Sequence, residues 1–211
     1  IEVNAAGRVM QELGRRESEA GTNLVLTIDA RLQCYTQARL GKESASSVVI
    51  DCHTGELLAL TSSPSYDPNK FVQGISHEDY NALLEDKRKP LVSKSVQGAY
   101  PPGSTFKMIT AIAALENRVI DEKTIVFCPG HLEISGKKKY CWKRGGHGRV
   151  NLEKSLRESC DVFYYDIALK VGIKKIGEVA RRFGFGKKHD ISMSVENPGL
   201  VPSKDCLLYT S

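Results

Sequence analysis

The strongest constraint on how this chain can fold is a short run near its middle, residues 99–107, which reads AYPPGSTFK. Consecutive prolines cannot lie inside a helix, and the glycine after them permits a sharp turn of the backbone. From Ser104 to about Asn117 most residues are apolar, and this pattern predicts a buried helix. The chain therefore enters an apolar helix through a tight turn that carries a serine.

Ser104 and Lys107 are separated by two residues at the start of this helix. Because residues i and i+3 share a helix face, we expect the Lys107 amine to reach the Ser104 hydroxyl. A buried lysine near a helix N-terminus is desolvated and feels the positive end of the helix dipole, and both effects favour the neutral amine. That amine can accept the serine proton, so the pair has the parts of an activated nucleophile. The same spacing also occurs by chance in many helices.

A second polar motif, Ser159-Cys160-Asp161, interrupts a helical pattern later in the chain. Asn151 is a suitable N-cap for a helix before it, and Gly172 is a suitable stop for a helix after it. A short turn between two such helices would project the side chains of Ser159 and Asp161 together. The alternative is that Ser159 only caps the second helix.

Taken in this order, the motifs resemble those of the penicillin-binding protein and serine β-lactamase superfamily, which are Ser-x-x-Lys, Ser-x-Asn (or Ser-x-Asp) and Lys-Thr-Gly. The closer resemblance is to the class B transpeptidases of rod-shape elongation. It implies that Ser104 is the acylated nucleophile and Lys107 its base, and that Ser159 and Asp161 relay protons and position the substrate. The segments that carry the resemblance are residues 2–8, 23–29, 55–60, 100–107, 146–150 and 159–165.

The pattern of elements suits an α/β (α+β) sandwich of the transpeptidase and β-lactamase type, with helices around an antiparallel sheet. Residues 1–22 are expected to be the end of a pedestal or linker, and residues 23–203 the N-terminal part of the transpeptidase domain. We expect a strand over 24–28, a helix from Asp29 to Gly41, a hairpin over 47–61, a loop-rich region over 62–90, a long loop over 124–150 and an amphipathic helix over 173–183.

The third motif of the superfamily, Lys-Thr-Gly, does not follow Ser159 in this sequence. His53-Thr54-Gly55 is a near match, but it precedes Ser104 and falls in the turn of the expected hairpin. We therefore expect the C-terminal part of the domain to be missing, and the 211 residues alone to be inactive. Residues 204–211 do not resemble the family and are interpreted as an artefactual tail.

Three of the six cysteines fall near one histidine in the sequence. We interpret Cys34 and Cys52 as structural, and Cys206 belongs to the tail. The remaining set is Cys128, Cys141, His147 and Cys160.

Two interpretations of this set stay open. A structural zinc ion held by three thiolates and one imidazole would fix a long loop that has few apolar residues. Alternatively, an oxidising compartment would favour a Cys128–Cys141 disulfide and leave Cys160 as an odd thiol. The resemblance supports the zinc ion, because some family members carry zinc beside the second motif.

The composition restricts the possible partners. The net charge of +5 is modest, and no run of about 18 apolar residues could span a membrane. Basic residues between Lys137 and Arg149 could attract anionic carboxylates or lipid headgroups, although a solvated loop face is the simpler interpretation. Aromatic residues do not alternate with them, so nucleic-acid binding is not expected.

The resemblance implies a peptidoglycan D,D-transpeptidase that acts during cell elongation. Ser104 would attack a D-Ala-D-Ala stem peptide of the lipid-linked precursor, form an acyl-enzyme and be acylated by β-lactams. The expected location is the bacterial inner membrane, through an N-terminal helix absent here, with the catalytic domain in the periplasm beside an elongation glycosyltransferase and cell-shape proteins. The alternatives are a β-lactamase, although no Glu-x-x-x-Asn follows Asp161, and a β-lactam-binding sensor or scaffold.

Overall fold

The computed structural model describes residues 2–11, 20–72, 74–191 and 195–203. The chain starts with two short antiparallel strands, β1 (Glu2–Val3) and β2 (Val9–Gln11). The tail at 204–211, with Cys206, lies outside the described residues.

The first helix, α1 (Ala30–Leu40), confirms the helix predicted after Asp29. The Asp29 carboxylate accepts hydrogen bonds from the backbone N–H groups of Arg31 and Leu32, which would otherwise be unsatisfied at the helix start. At the other end, Gly41 has a φ of 53°, a conformation that favours glycine, and this ends the helix.

A hairpin of β3 (Ala45–Ile50) and β4 (Leu57–Ser63) follows α1 and confirms the predicted hairpin. Its turn contains the near match His53-Thr54-Gly55. Helix α1 packs on β4, where the Gln33 side chain exchanges hydrogen bonds of 2.8 and 2.9 Å with the backbone of Leu60.

The strand predicted over 24–28 is wrong. Leu24, Val25 and Leu26 are exposed and belong to no β-ladder. The segment meets β4 only at its end, through the bonds Thr27 Oγ1 to Leu57 O and Asp29 N to Leu58 O, before the chain turns into α1. An apolar run becomes a strand only where a partner edge continues beside it.

The region predicted to be rich in loops holds two helices, α2 (Asn69–Val72) and α3 (His77–Glu85). The second begins at Ser76, whose hydroxyl accepts the Asp79 backbone N–H at 3.0 Å. The sequence signal for this helix start, a serine followed by acidic residues in the first turn, was missed.

The core of the molecule is a group of helices around α6 (Asp161–Val171). A 3₁₀ turn, Gly103–Phe106, leads into α4 (Lys107–Glu116), which packs on α6 and on α7 (Ile173–Arg182). The side chains of Phe163 and Ile167 are fully buried between them. Helix α5 (Leu152–Arg157), capped by Asn151, precedes α6, and Gly172 ends α6, as predicted.

The long loop predicted over 124–150 is wrong, because this region forms two small antiparallel ladders. Strand β6 (His131–Ile134) pairs with β7 (Lys137–Tyr140). Ser135 and Gly136 both have positive φ between them, which is typical of a tight hairpin turn. Strand β5 (Val126–Cys128) pairs with β8 (Gly148–Val150). The three lysines of β7 are exposed on both faces, so the sequence lacks the alternation that reveals a half-buried strand.

The described residues therefore form a mixed fold of helices and antiparallel ladders, which agrees with the predicted fold class. None of the described helices has the length and apolar character that a membrane crossing requires.

Candidate active site

The turn before α4 presents Ser104 to solvent. Gly103 has a φ of 57°, and Ser104 follows in the 3₁₀ turn with its side chain exposed. Lys107 begins α4, so its stem runs along the edge of the core and its side chain is only 12% exposed. The proline and glycine residues thus place a serine and a lysine at one helix entrance.

The amine of Lys107 is the centre of a hydrogen-bond network. Its Nζ donates to the Ser159 carbonyl oxygen at 2.8 Å, to Ser159 Oγ at 2.9 Å and to Asp161 Oδ1 at 2.6 Å. It also lies 5.5 Å from the centre of the Tyr164 ring. The structure therefore brings the two predicted motifs together, although more than 50 residues separate them.

The hydrogen-bonded link between Lys107 and Ser104 differs from the direct contact predicted from their spacing. Ser159 lies between them and donates from its Oγ to Ser104 Oγ at 2.9 Å. Lys107 is paired with the Asp161 carboxylate instead of being held in apolar surroundings. The first turn is 3₁₀ rather than α-helical, which changes the direction of the Ser104 side chain relative to Lys107.

The turn that carries the second motif is tightly constrained. Ser159 has a φ of 50°, a left-handed conformation that is uncommon for residues other than glycine. Helix α6 starts at Asp161 with Cys160 as its N-cap residue, so Ser159 is not the cap of that helix. The two helices predicted on either side are confirmed.

The charge of Asp161 is stabilised by its neighbours. Burial opposes its ionisation, but the hydrogen bond from Lys107 and the backbone N–H of Trp142, 2.9 Å from Oδ2, outweigh burial. Together they hold the pKa of the Asp161 carboxyl below its usual value. The side chain is therefore an anion that faces the Lys107 amine.

The four residues Cys128, Cys141, His147 and Cys160 form one buried cluster directly behind this turn. Their potential ligand atoms all lie within 4.8 Å of one another. His147 Nδ1 is 3.6 Å from Cys128 Sγ and 3.4 Å from Cys141 Sγ, and all three thiols are free. His147 Nε2 is the one buried side-chain nitrogen or oxygen without a hydrogen-bond partner in the part of the chain that the structure describes.

The thiols of this cluster differ in their acidity. Burial raises the pKa of the Cys160 thiol to about 12. Burial acts in the same direction on Cys141, but the backbone N–H groups of Lys143, Asp161 and Val162 outweigh it and lower the pKa of that thiol. Cys141 therefore faces the N-terminus of α6, where a negative charge is favoured.

The sequence did not lead us to predict that Trp142 contacts the second motif. It follows Cys141 and touches both sides of the second motif, through Asp161 and through the backbone carbonyl of Glu158. Its only signal in the sequence was its position as the single tryptophan beside a cysteine of the cluster.

An acyl-transferring serine site has this arrangement, in which a serine, a lysine and a Ser-x-Asp turn converge at the end of an apolar helix. The family model described as "Penicillin binding protein transpeptidase domain" matches residues 45–210, and the chain belongs to this family.

The relatives agree with this assignment. The chain is 44% identical to the peptidoglycan D,D-transpeptidase MrdA of Escherichia coli (strain K12), over 97% of its own length and 33% of that protein. It is 38% identical to the MrdA of Acinetobacter baumannii, over 100% of its own length and 32% of that protein. The chain thus spans about a third of the length of these relatives.

Two solved structures are also similar. The Pseudomonas aeruginosa PBP2 in complex with WCK 5153 gives a TM-score of 0.83 at 40% identity, and the match covers 88% of this chain and 42% of that one. The Helicobacter pylori PBP2 in complex with MreC gives a TM-score of 0.86 at 35% identity. This match covers 99% of the present chain and 39% of the Helicobacter chain.

Proposed function

We propose that this domain serves a serine-type peptidoglycan D,D-transpeptidase of cell elongation that β-lactams inhibit. The observation that carries the proposal is the continuous hydrogen-bonded path from Lys107 through Ser159 to Ser104. An acyl transfer needs a nucleophile with a route for its proton, and this path supplies both. The similarity to MrdA proteins supports the substrate class, a D-Ala-D-Ala stem peptide of peptidoglycan or its lipid-linked precursor.

In the proposed reaction, Lys107 first gives up one proton to solvent, because the three hydrogen bonds that its Nζ donates are those of an ammonium. Ser104 Oγ then attacks the penultimate D-Ala carbonyl while its proton passes through Ser159 to the neutral Lys107. The resulting ammonium is stabilised by Asp161, 2.6 Å away. The C–N bond to the terminal D-Ala then breaks, and the proton on Lys107 returns through Ser159 to the leaving amine. The amine of a second stem attacks the ester carbonyl and its proton goes to Lys107. As the ester C–O bond breaks, that proton passes through Ser159 to Ser104 Oγ and restores the hydroxyl.

The test is covalent labelling of the whole protein by a fluorescent penicillin. We expect Ser104→Ala to abolish labelling, because the acyl group is attached to that oxygen. Thr105→Ala is the matched control, since it removes the neighbouring exposed hydroxyl, and it should keep labelling. Labelling of Ser104→Ala at the wild-type rate would contradict the assignment of the nucleophile.

Turnover separates the alternatives. A transpeptidase stays acylated by the penicillin and cross-links lipid-linked stems. Rapid release of hydrolysed penicillin would favour a β-lactamase, and stable labelling without any cross-linking would favour a sensor or scaffold.

We further propose that Cys128, Cys141, His147 and Cys160 hold a structural zinc ion. With the usual bond lengths, a sulfur and a nitrogen on a tetrahedral zinc ion are about 3.5 Å apart. The two Sγ to Nδ1 distances, 3.6 and 3.4 Å, fit this separation. Four protein ligands leave no position for a substrate or water, so the metal would stabilise the fold beside the active site and take no part in the chemistry.

The proposed location is the periplasmic side of the bacterial inner membrane, where peptidoglycan stems are cross-linked. The proposed partners are a glycosyltransferase of elongation and cell-shape proteins. The Helicobacter relative solved with MreC supports the second class of partner. Co-purification of the whole protein from membranes with either class tests this, and its absence from the membrane fraction would contradict it.

A further inference from the structure

Trp142 connects the cysteine and histidine cluster with the Ser159 turn. Its indole ring meets the His147 ring edge-on, with centroids 5.4 Å apart and an angle of 67° between the planes. The indole Nε1–H donates to the Glu158 carbonyl oxygen at 3.0 Å, and the backbone N–H donates to Asp161 Oδ2 at 2.9 Å. One residue therefore holds the backbone before Ser159 and the side chain after it.

The turn needs such support. Ser159 keeps a positive φ without being glycine, and a conformation of this kind persists only when the surroundings impose it. Lys107 binds the turn from the side of the core, at the Ser159 carbonyl and at Asp161 Oδ1. Trp142 binds it at the Glu158 carbonyl and at the second carboxylate oxygen. The turn is thus fixed between two residues that come from different parts of the chain.

Packing alone does not explain the position of the indole. The residue is 62% exposed, so little of its apolar surface is removed from water. A tryptophan held only by its contact with His147 would gain nothing from directing Nε1 at a backbone carbonyl. The two directional hydrogen bonds from Trp142 to one turn therefore need an explanation other than packing.

We infer that Trp142 is a positioning residue for acylation, which holds Ser159 and Asp161 in the geometry that Lys107 and Ser104 require. The inference rests on the proposed function, because it concerns the same reaction. Trp142 acts through the turn and does not touch the reacting atoms. Its loss should therefore slow the chemical step and leave the initial binding of a β-lactam unchanged.

The experiment measures acylation of the zinc-loaded whole protein by a chromogenic β-lactam, separated into a binding constant and a rate constant. Trp142→Phe keeps an aromatic ring and the backbone N–H but removes the indole donor. Since one hydrogen bond of this kind is lost, we expect the rate constant to fall about three- to tenfold, with the binding constant within about twofold of wild type. Tyr140→Phe is the matched control, because it alters an exposed aromatic residue of the same region, and it should acylate normally.

Zinc content and melting temperature are measured in parallel. If Trp142→Phe has a lower zinc content or a lower melting temperature, the test uses a tryptophan analogue at position 142 instead. In this isosteric analogue sulfur replaces the indole nitrogen, so only the hydrogen-bond donor is removed. An unchanged rate constant in the variant that retains zinc overturns the inference. A loss confined to the binding constant also overturns it, since it would make Trp142 a ligand contact. Failure of the proposed function is distinguishable, because wild type would then not label or Ser104→Ala would.

Discussion

The Oγ atoms of Ser104 and Ser159 lie 2.9 Å apart, but the backbone that carries each serine is fixed in a different way. Ser104 is placed by its own neighbours in sequence, through the glycine before it and the helix that starts at Lys107. Ser159 is placed by residues far away in sequence, Lys107 and Trp142, and by the cluster behind it.

This contrast indicates that the two motifs should respond differently to substitutions elsewhere in the chain. A local motif survives if its own segment folds, whereas the Ser159 turn depends on contacts that form only when three parts of the chain assemble. Substitutions far from the reacting atoms should therefore change the acylation rate by displacing Ser159, and should leave the position of Ser104 unchanged.

The largest effect is expected for Lys107→Ala, since Lys107 belongs to the first motif and its amine binds both Ser159 and Asp161 of the second. Acylation by a penicillin should slow by about 100-fold or more, because the proposed base is lost and Asp161 is left without its ion-pair partner. The measurement is the rate of covalent labelling of the whole protein.

Lys170→Ala is the matched control for this prediction. Lys170 forms an ion pair of the same length, 2.6 Å, with Asp166 on the exposed side of α6. Exposed pairs contribute little to stability, so its loss should leave labelling within about twofold of wild type. A Lys107→Ala protein that labels at a comparable rate would contradict the role of Lys107.

Cys128→Ser is expected to have an intermediate effect and tests the dependence of Ser159 on distant residues. Zinc content and melting temperature should fall together, since metal binding and local folding are coupled, and acylation should slow by about 10- to 100-fold. Elemental analysis, thermal unfolding and labelling measure the three quantities.

The exposed Cys34 supplies the control, and Cys34→Ser should behave as wild type in all three. Wild-type protein with less than about a tenth of an equivalent of zinc, and with Cys128 and Cys141 joined in a disulfide, would contradict the zinc proposal.

The smallest effect is expected at Asp51, in the turn between β3 and β4. Its Oδ1 accepts the backbone N–H groups of His53 and Thr54, and these bonds hold the pKa of the Asp51 carboxyl below its usual value. A lowered folded-state pKa stabilises the fold at pH values above the unfolded-state pKa, about 3.9, and this contribution is lost as the pH falls through the folded value.

The melting temperature of Asp51→Asn should therefore be slightly lower than that of wild type at neutral pH, and the difference should vanish in acid. Acylation should not change, because this turn belongs to a local motif outside the site. A difference in melting temperature that grows in acid would contradict this sign.

The structural features that could be predicted from the sequence are those whose causes lie nearby in the sequence. The caps Asp29 and Asn151, the stops Gly41 and Gly172 and the apolar helix after Gly103 each depend on neighbouring residues. The four candidate metal ligands also came from the sequence, and the structure brings them into one cluster.

The parts that could not be predicted depend on distant partners. An apolar run at 24–28 reads as a strand, but whether an edge lies beside it is a property of the assembled fold. The hydrogen-bonded link through Ser159 depends on how α6 packs against α4, and the spacing of Ser104 and Lys107 in the sequence does not contain this information. Trp142 was missed for the same reason, because its two acceptors come from a turn that follows it by more than a dozen residues.

Trp142 is also the only tryptophan among these 211 residues. Its indole is largely open to water and lies 5.4 Å from the His147 ring, between the cysteines and the Ser159 turn. Within this chain, tryptophan fluorescence therefore comes from one junction only. If the cluster holds the proposed zinc ion, the emission should change when that ion is removed or added, which would provide an optical signal for coupling between the metal and the Ser159 turn without any added label.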